Sequence, residues 1–182
     1  MARAVFAVTA VLLGCAAALA HLHGVDPSAQ RQSVDAPFSV AIVPGEGGVL
    51  TMGRNARDFY VVLTNVSDQP QNTWEYWNSW GYRTVSFEIT LPNGQKSSVT
   101  RAPQDFARNF PSTFAIPPGE HEVFVIRFYK DWQEAPPVPN RVQIPITIKA
   151  IYQVLSSAAT VEHNVWTGRI ESHSYRFVLY QW

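Results

Sequence analysis

Two histidines one residue apart, His21 and His23, carry the sharpest chemical pattern in this chain. Residues 1–20 read as a secretory signal peptide. Arg3 gives a short basic start, Val5 to Leu13 an apolar run, and Ala18-Leu19-Ala20 a small-x-small cleavage sequence. The apolar run is too short to span a bilayer. Cleavage after Ala20 makes His21 the first residue. Its free α-amine, two deprotonated amides and the imidazole of His23 then form a square-planar nitrogen set, which Cu(II) and Ni(II) prefer. His21 could instead chelate copper through its amine and side chain. The plain alternative is a tail that happens to hold two histidines. Copper is therefore the cofactor of the second reading, and the first reading needs none.

The second pattern is aromatic. Trp74, Tyr76, Trp77, Trp80 and Tyr82 fall within nine residues, in WEYWNSWGY. Exposed Trp and Tyr stack on the apolar faces of sugars or on peptide side chains, giving large contact area at low entropic cost. Trp74, Trp77 and Trp80 recur every three residues, as on one face of a helical turn or a tight loop. Trp132 and Trp166 sit in other connections and could gather at the same end. The rings either present a ligand surface or plug one end of the core, each indole N–H meeting a backbone carbonyl.

A third pattern combines Glu162-His163 with Glu171-Ser172-His173. Glu171 and His173 are two apart on a strand and share a face, and with His163 they offer Zn(II) ligands. The competing reading places all of them on the solvent side of the last strand. Asn65-Val66-Ser67 has the form of a glycosylation sequon and reads as a turn.

No enzyme signature appears. There is no Gly-x-Ser-x-Gly elbow, no His-Glu-x-x-His and no phosphate-binding glycine loop. The single cysteine, Cys15, lies in the leader, so the processed chain has neither disulfide nor thiol chemistry. Leu12-Leu13-Gly14-Cys15 also resembles a bacterial lipobox. Lipidation at Cys15 would make the protein an outer-membrane lipoprotein rather than a periplasmic or secreted one. From His21 onward 13 basic residues face 14 acidic ones, a formal charge of −1. That balance argues against nucleic acid or an anionic membrane surface as partner. A protein or carbohydrate at the cell envelope remains.

The elements that must position these residues are strands. Residues 21–35 are polar and read as a flexible tether, with one domain over 36–182. Phe38, Val40 and Ile42 alternate, and Val49–Met52 is a short second piece. Phe59, Val61 and Leu63 share one face of a central strand. Val85, Phe87, Ile89 and Leu91 alternate with Ser86, Glu88 and Thr90. Asn93-Gly94 marks a hairpin into Lys96–Arg101. Phe124, Ile126 and Phe128 point inward from the next strand, and Phe106 and Phe110 are expected on the core. Arg141 to Gln153 is the cleanest alternation, and Pro145 on its outer face favours a spot where the missing N–H would face solvent or a bulge. Ser156 to Gly168 is a loop with room for one helical turn, and the last strand is about Ile170 to Tyr180. The pattern predicts an all-β fold, an antiparallel immunoglobulin-like β-sandwich of seven or eight strands with long loops. The four long connections, 67–83, 101–112, 129–140 and 153–169, are where function or lids would sit.

One ordered set of phrases goes further. TNVSDQP, WEYWNSWGY with its hairpin, IPPGEHEVFVIRF, ITIKAIYQV and VWTGRIES resemble a family of exported bacterial immunoglobulin-like domains without assigned activity. The resemblance covers about residues 36 to 181. It implies the sandwich and the exported context, and it carries over no catalytic residue.

Overall fold

The computed structural model describes residues 36–133, 139 and 141–181. The signal-peptide reading, Cys15, and the candidate copper ligands His21 and His23 lie outside the described residues. Within them the chain is all-β. Its strands are β1 (Phe38–Val43), β2 (Val49–Met52), β3 (Phe59–Asn65), β4 (Gln71–Trp74), β5 (Val85–Thr90) and β6 (Lys96–Arg101). They continue as β7 (Thr113–Ile116), β8 (His121–Ile126), β9 (Trp132–Gln133), β10 (Gln143–Val154), β11 (Gly168–Glu171) and β12 (Tyr175–Gln181). The single α-helix among the described residues, α1, is one turn over Ala158–Glu162, opened by a capping box between Ser157 and Thr160. Among the described residues no helix is long and apolar enough to cross a membrane.

Three sheets form. A small one runs β1-β3-β8, and a large one runs β2-β12-β10-β5-β6-β9 with β11 also on β10. A two-stranded ribbon pairs β4 with β7. The two main sheets face each other because every second residue is apolar on the facing side. From the small sheet come Phe38, Val40, Ile42, Phe59, Val61 and Leu63; from the large one come Phe87, Ile89, Ile146, Ile148 and Tyr152, all buried. Rings meet edge-on across the layer, Phe59 to Phe87 at 5.5 Å and Phe38 to Tyr152 at 6.2 Å. Burying one such ring stabilises the fold by about 1.5–3 kcal/mol.

Several details depart from the periodicity. The strip that predicts one last strand is two, β11 and β12. Both pair with the same edge of β10, but the register slips by one residue, so 172–174 oppose only Lys149 and Ala150. This is a bulge. Ser172 makes it tolerable: its N–H donates to Ala150 O, and its Oγ accepts from Ala150 N and donates to His173 O. One pairing is parallel rather than antiparallel, β2 on β12. Three short strands, β4, β7 and β9, lie where no alternation is long enough to read. Phe110 is exposed rather than on the core, and Val142 stands exposed before β10 begins.

Pro145 sits where its chemistry allows. Gln153 N donates to Thr84 O, so the odd residues of β10 turn their backbone toward β5. The β5 pairing stops at Thr147, and Pro145 lies beyond it, where no ladder bond is lost.

Candidate functional site

The aromatic stretch is held up by a frame of polar bonds. At its start Asn65, wholly buried at the end of β3, ties the turn 66–70 to the end of β7. Its Nδ2 donates to Gln69 O and Ile116 O, and its Oδ1 accepts from Ser67 N and Oγ. This fixes the departure of β4, which pairs with β7 and carries the chain to Trp74. The segment after Trp74 is a series of turns and not a helix. Its pin is Asn78, also wholly buried. Asn78 Oδ1 accepts from Trp80 N and Gly81 N, its Nδ2 donates to Ser112 O, and its carbonyl accepts from Tyr82 N. Gly81 packs against the carbonyl of Glu75 so closely that a Cβ would lie 2.1 Å from that oxygen. Only glycine permits this approach.

This frame divides the five rings. Trp74 is 3% exposed and Tyr82 8%. Both are core residues, which corrects their assignment as presented rings: the β4–β7 ribbon turns Trp74 inward, and Phe106 covers Tyr82 edge-on at 5.5 Å. Trp80 is half-buried, 6.1 Å from Trp74. Tyr76 and Trp77 are 52% and 40% exposed. Trp77 meets Phe110 edge-on at 5.1 Å, and Phe110 is itself 54% exposed. Tyr76, Trp77 and Phe110 therefore form the presented part. Neither Trp132 nor Trp166 joins them. Trp132 packs on Phe87 and Phe128, and Trp166 stacks on Tyr152.

Three clefts border the stretch. Tyr76 and Arg101 flank one of about 90 Å³ beside Val123, Phe124 and Val125. Trp80 and Arg83 open on another of about 300 Å³, with Gln153 and Ser157. Arg83, Gln153 and Leu155 continue it into a polar trough of about 650 Å³ on the outer face of the large sheet. In that trough Lys96 pairs with Glu88 at 2.9 Å. Arg101 lies over the rings of Tyr82 (4.9 Å) and Trp132 (5.1 Å), so the buried side of the stretch holds a cation against its aromatic faces.

The electrostatics behind the stretch are uneven. Glu122, at the start of β8, titrates above the usual carboxylate range, first because it is partly buried and then because Glu75 is near; His121 opposes this. Tyr152 is buried and bonded to Thr73 Oγ1, and burial pushes its phenol well above the ordinary range.

The zinc arrangement does not assemble. His163 packs edge-on against Trp74 at 5.4 Å, and Glu171 is held by Arg169 at 2.7 Å and Lys149 at 3.4 Å. These cations draw Glu171 below the usual range, the Arg169 hydrogen bond first. The bulge separates Glu171 from His173, whose Nδ1 is buried without a partner among the described residues. Among the described residues no three histidine, cysteine or carboxylate side chains converge on a metal position.

Asn78, Gly81 and Arg101 carry no candidate role in the sequence pattern, and Phe110 is expected there on the core rather than at the surface. Asn and Gly inside WNSWGY were the legible signal for the first two. Phe110 and Arg101 gain meaning only from the pairing of distant strands. No protein-family model matches this chain, and no curated protein is significantly similar to it.

Proposed function

We propose that this chain is an exported, non-enzymatic binding domain that engages a protein or glycan of the cell envelope through the loop 74–82. In this reading the sandwich is immunoglobulin-like, with seven or eight principal strands, and works in the periplasm or outside the cell. The single observation that carries it is the exposure of Tyr76 and Trp77 on a loop braced by Asn78, with the exposed Phe110 of the 101–112 connection packed against Trp77. Large rings left in water cost hydration free energy that a braced core could have recovered. Their presentation on a fixed frame supports a partner that covers them. The loop's rigidity supports the same reading, since a preorganised surface loses little entropy on binding.

The test is fluorescence titration of the mature protein with a panel of envelope glycans and peptides, beside Trp77→Ala and Phe110→Ala. A ligand that shifts the wild-type emission is expected to bind at least about tenfold more weakly to either variant. Equal affinity in all three proteins ends the proposal for this loop.

A further inference from the structure

The backbone bonds of the small sheet fix which way β8 points its polar groups. Asn65 N donates to Glu120 O at 3.0 Å, and Val66 N donates to Pro37 O at 2.8 Å. With Leu63 opposite Glu122 and Val61 opposite Phe124, the odd residues of β3 bond toward β8 and its even residues toward β1. On β8, then, Glu122, Phe124 and Ile126 bond to β3. His121, Val123 and Val125 turn their N–H and C=O outward. Among the described residues no hydrogen bond from another element reaches these outward groups.

Natural edge strands are usually blunted by a charge, a proline or a bulge. β8 carries Glu122 near its start and is followed by Arg127, paired with Asp58, but between them the run Val123 to Ile126 has no charge, proline or bulge. Val123 and Val125 are 43% and 57% exposed, and Val125 lies opposite Tyr60, which lies opposite Val43. An apolar row thus crosses the outer face and stops at an open edge. The other edge of the same sheet, β1, packs beside β10 and β11. Next to the open edge lies the 90 Å³ cleft walled by Tyr76 and Arg101. Arg101 has no carboxylate partner among the described residues; its guanidinium lies over the rings of Tyr82 and Trp132.

We propose that a strand of a partner protein adds to β8, alternating apolar residues over Val123 and Val125 with an acidic residue that enters the cleft toward Arg101. The alternation follows from the pleat. Side chains of the added strand that share the outer face extend the row of Val43, Tyr60 and Val125, and those between them point to the Arg101 side. The proposal rests on the reading of the 74–82 loop as a binding surface, because Tyr76 walls the cleft, and it selects protein over glycan.

The experiment is residue-resolved amide hydrogen exchange on the mature protein. The probes are the blocked hexapeptide Thr-Val-Glu-Val-Thr-Val and its counterpart with Lys in place of Glu. In the free protein the amides of Val123 and Val125 should exchange fast and that of Phe124 slowly. The glutamate peptide is expected to slow Val123 and Val125 by at least about tenfold, and the lysine peptide to bind about tenfold more weakly. Val125→Pro removes an outward N–H that the fold does not use, so the variant should melt like the wild type and lose the protection. If it does not fold, Arg101→Gln serves, and should make the two peptides equal. No protection on β8 with either peptide overturns the proposal. So does full protection in Val125→Pro, or an edge already protected by self-association in sedimentation. If the peptide or a glycan quenches Trp77 while β8 stays unprotected, strand addition fails and the loop reading survives. If β8 is protected and Trp77→Ala and Phe110→Ala bind every ligand normally, the loop reading fails instead.

Discussion

The two halves of the aromatic stretch differ less in composition than in what lies behind them. Trp74 ends β4, paired with β7, and Tyr82 closes a turn onto Asn78 O beneath Phe106; both are drawn into the core. Tyr76 and Trp77 fall between them, on the turns hung from Asn78, and stay in water. The side chains are of similar size and hydrophobicity, so hydrophobicity did not sort them. Backbone position did: Trp74 is fixed inward by its ladder with β7 and Tyr82 by the turn it closes on Asn78 O, whereas Tyr76 and Trp77 fall between these two points and are left outward. An aromatic-rich phrase is therefore not one site but a buried anchor and a presented face.

The comparison can be broken from either side. The largest effect is expected at the anchor. Trp74→Ala should destabilise the fold by about 3–5 kcal/mol in denaturant unfolding, because the ring cannot be replaced by collapse of its neighbours. A loss near zero would mean that Trp74 belongs with the presented rings. Asn78→Ala strands Trp80 N, Gly81 N and Ser112 O, and should cost about 1–3 kcal/mol for groups left without partners. It should also raise iodide quenching of tryptophan, since the turns then loosen; unchanged quenching would show that another bond holds them.

Glu122 sharpens the contrast through pH. Its folded-state titration lies above the unfolded value, so its favourable contribution is whole below about pH 4.5 and is lost as pH rises through the raised value. Glu122→Gln should therefore stabilise the protein at about pH 7 and do little at about pH 4, read by thermal melts at both values. An equal difference at the two would show that packing and not charge is responsible. The smallest effect on stability is expected at the presented face. Trp77→Ala should change unfolding free energy by no more than about 0.5 kcal/mol, as surface substitutions do. A larger loss would return Trp77 to the core.

The sequence made the sandwich-like layers legible because alternation survives in every long strand. Phe59, Val61 and Leu63, then Phe87 and Ile89, then Ile146 and Ile148 are all where period two puts them. The Asn93-Gly94 turn, Gly94 at positive φ, and the helical turn after Ser157 were legible for local reasons. The short β4, β7 and β9 were not, since two to four residues carry no period and take their pairing from distant partners. The bulge at Ser172 was hidden for a related reason: a slip of one residue needs the opposite strand to be seen. The exposure of Phe110 could not be read either. Its ring is apolar, but the ring it meets, Trp77, is itself exposed.

The closure of Asn65 reaches beyond the fold into how the protein can be made. A eukaryotic secretory host transfers glycans to Asn-x-Ser as the chain emerges, before the turn has formed. In the folded protein both hydrogens of the Asn65 amide are committed to Gln69 and Ile116, and no room is left for a sugar. Transfer and folding thus compete for one nitrogen, and every modified chain leaves the productive route. Ser67→Ala, which erases the acceptor signal and keeps the amide, is the substitution to carry into such a host.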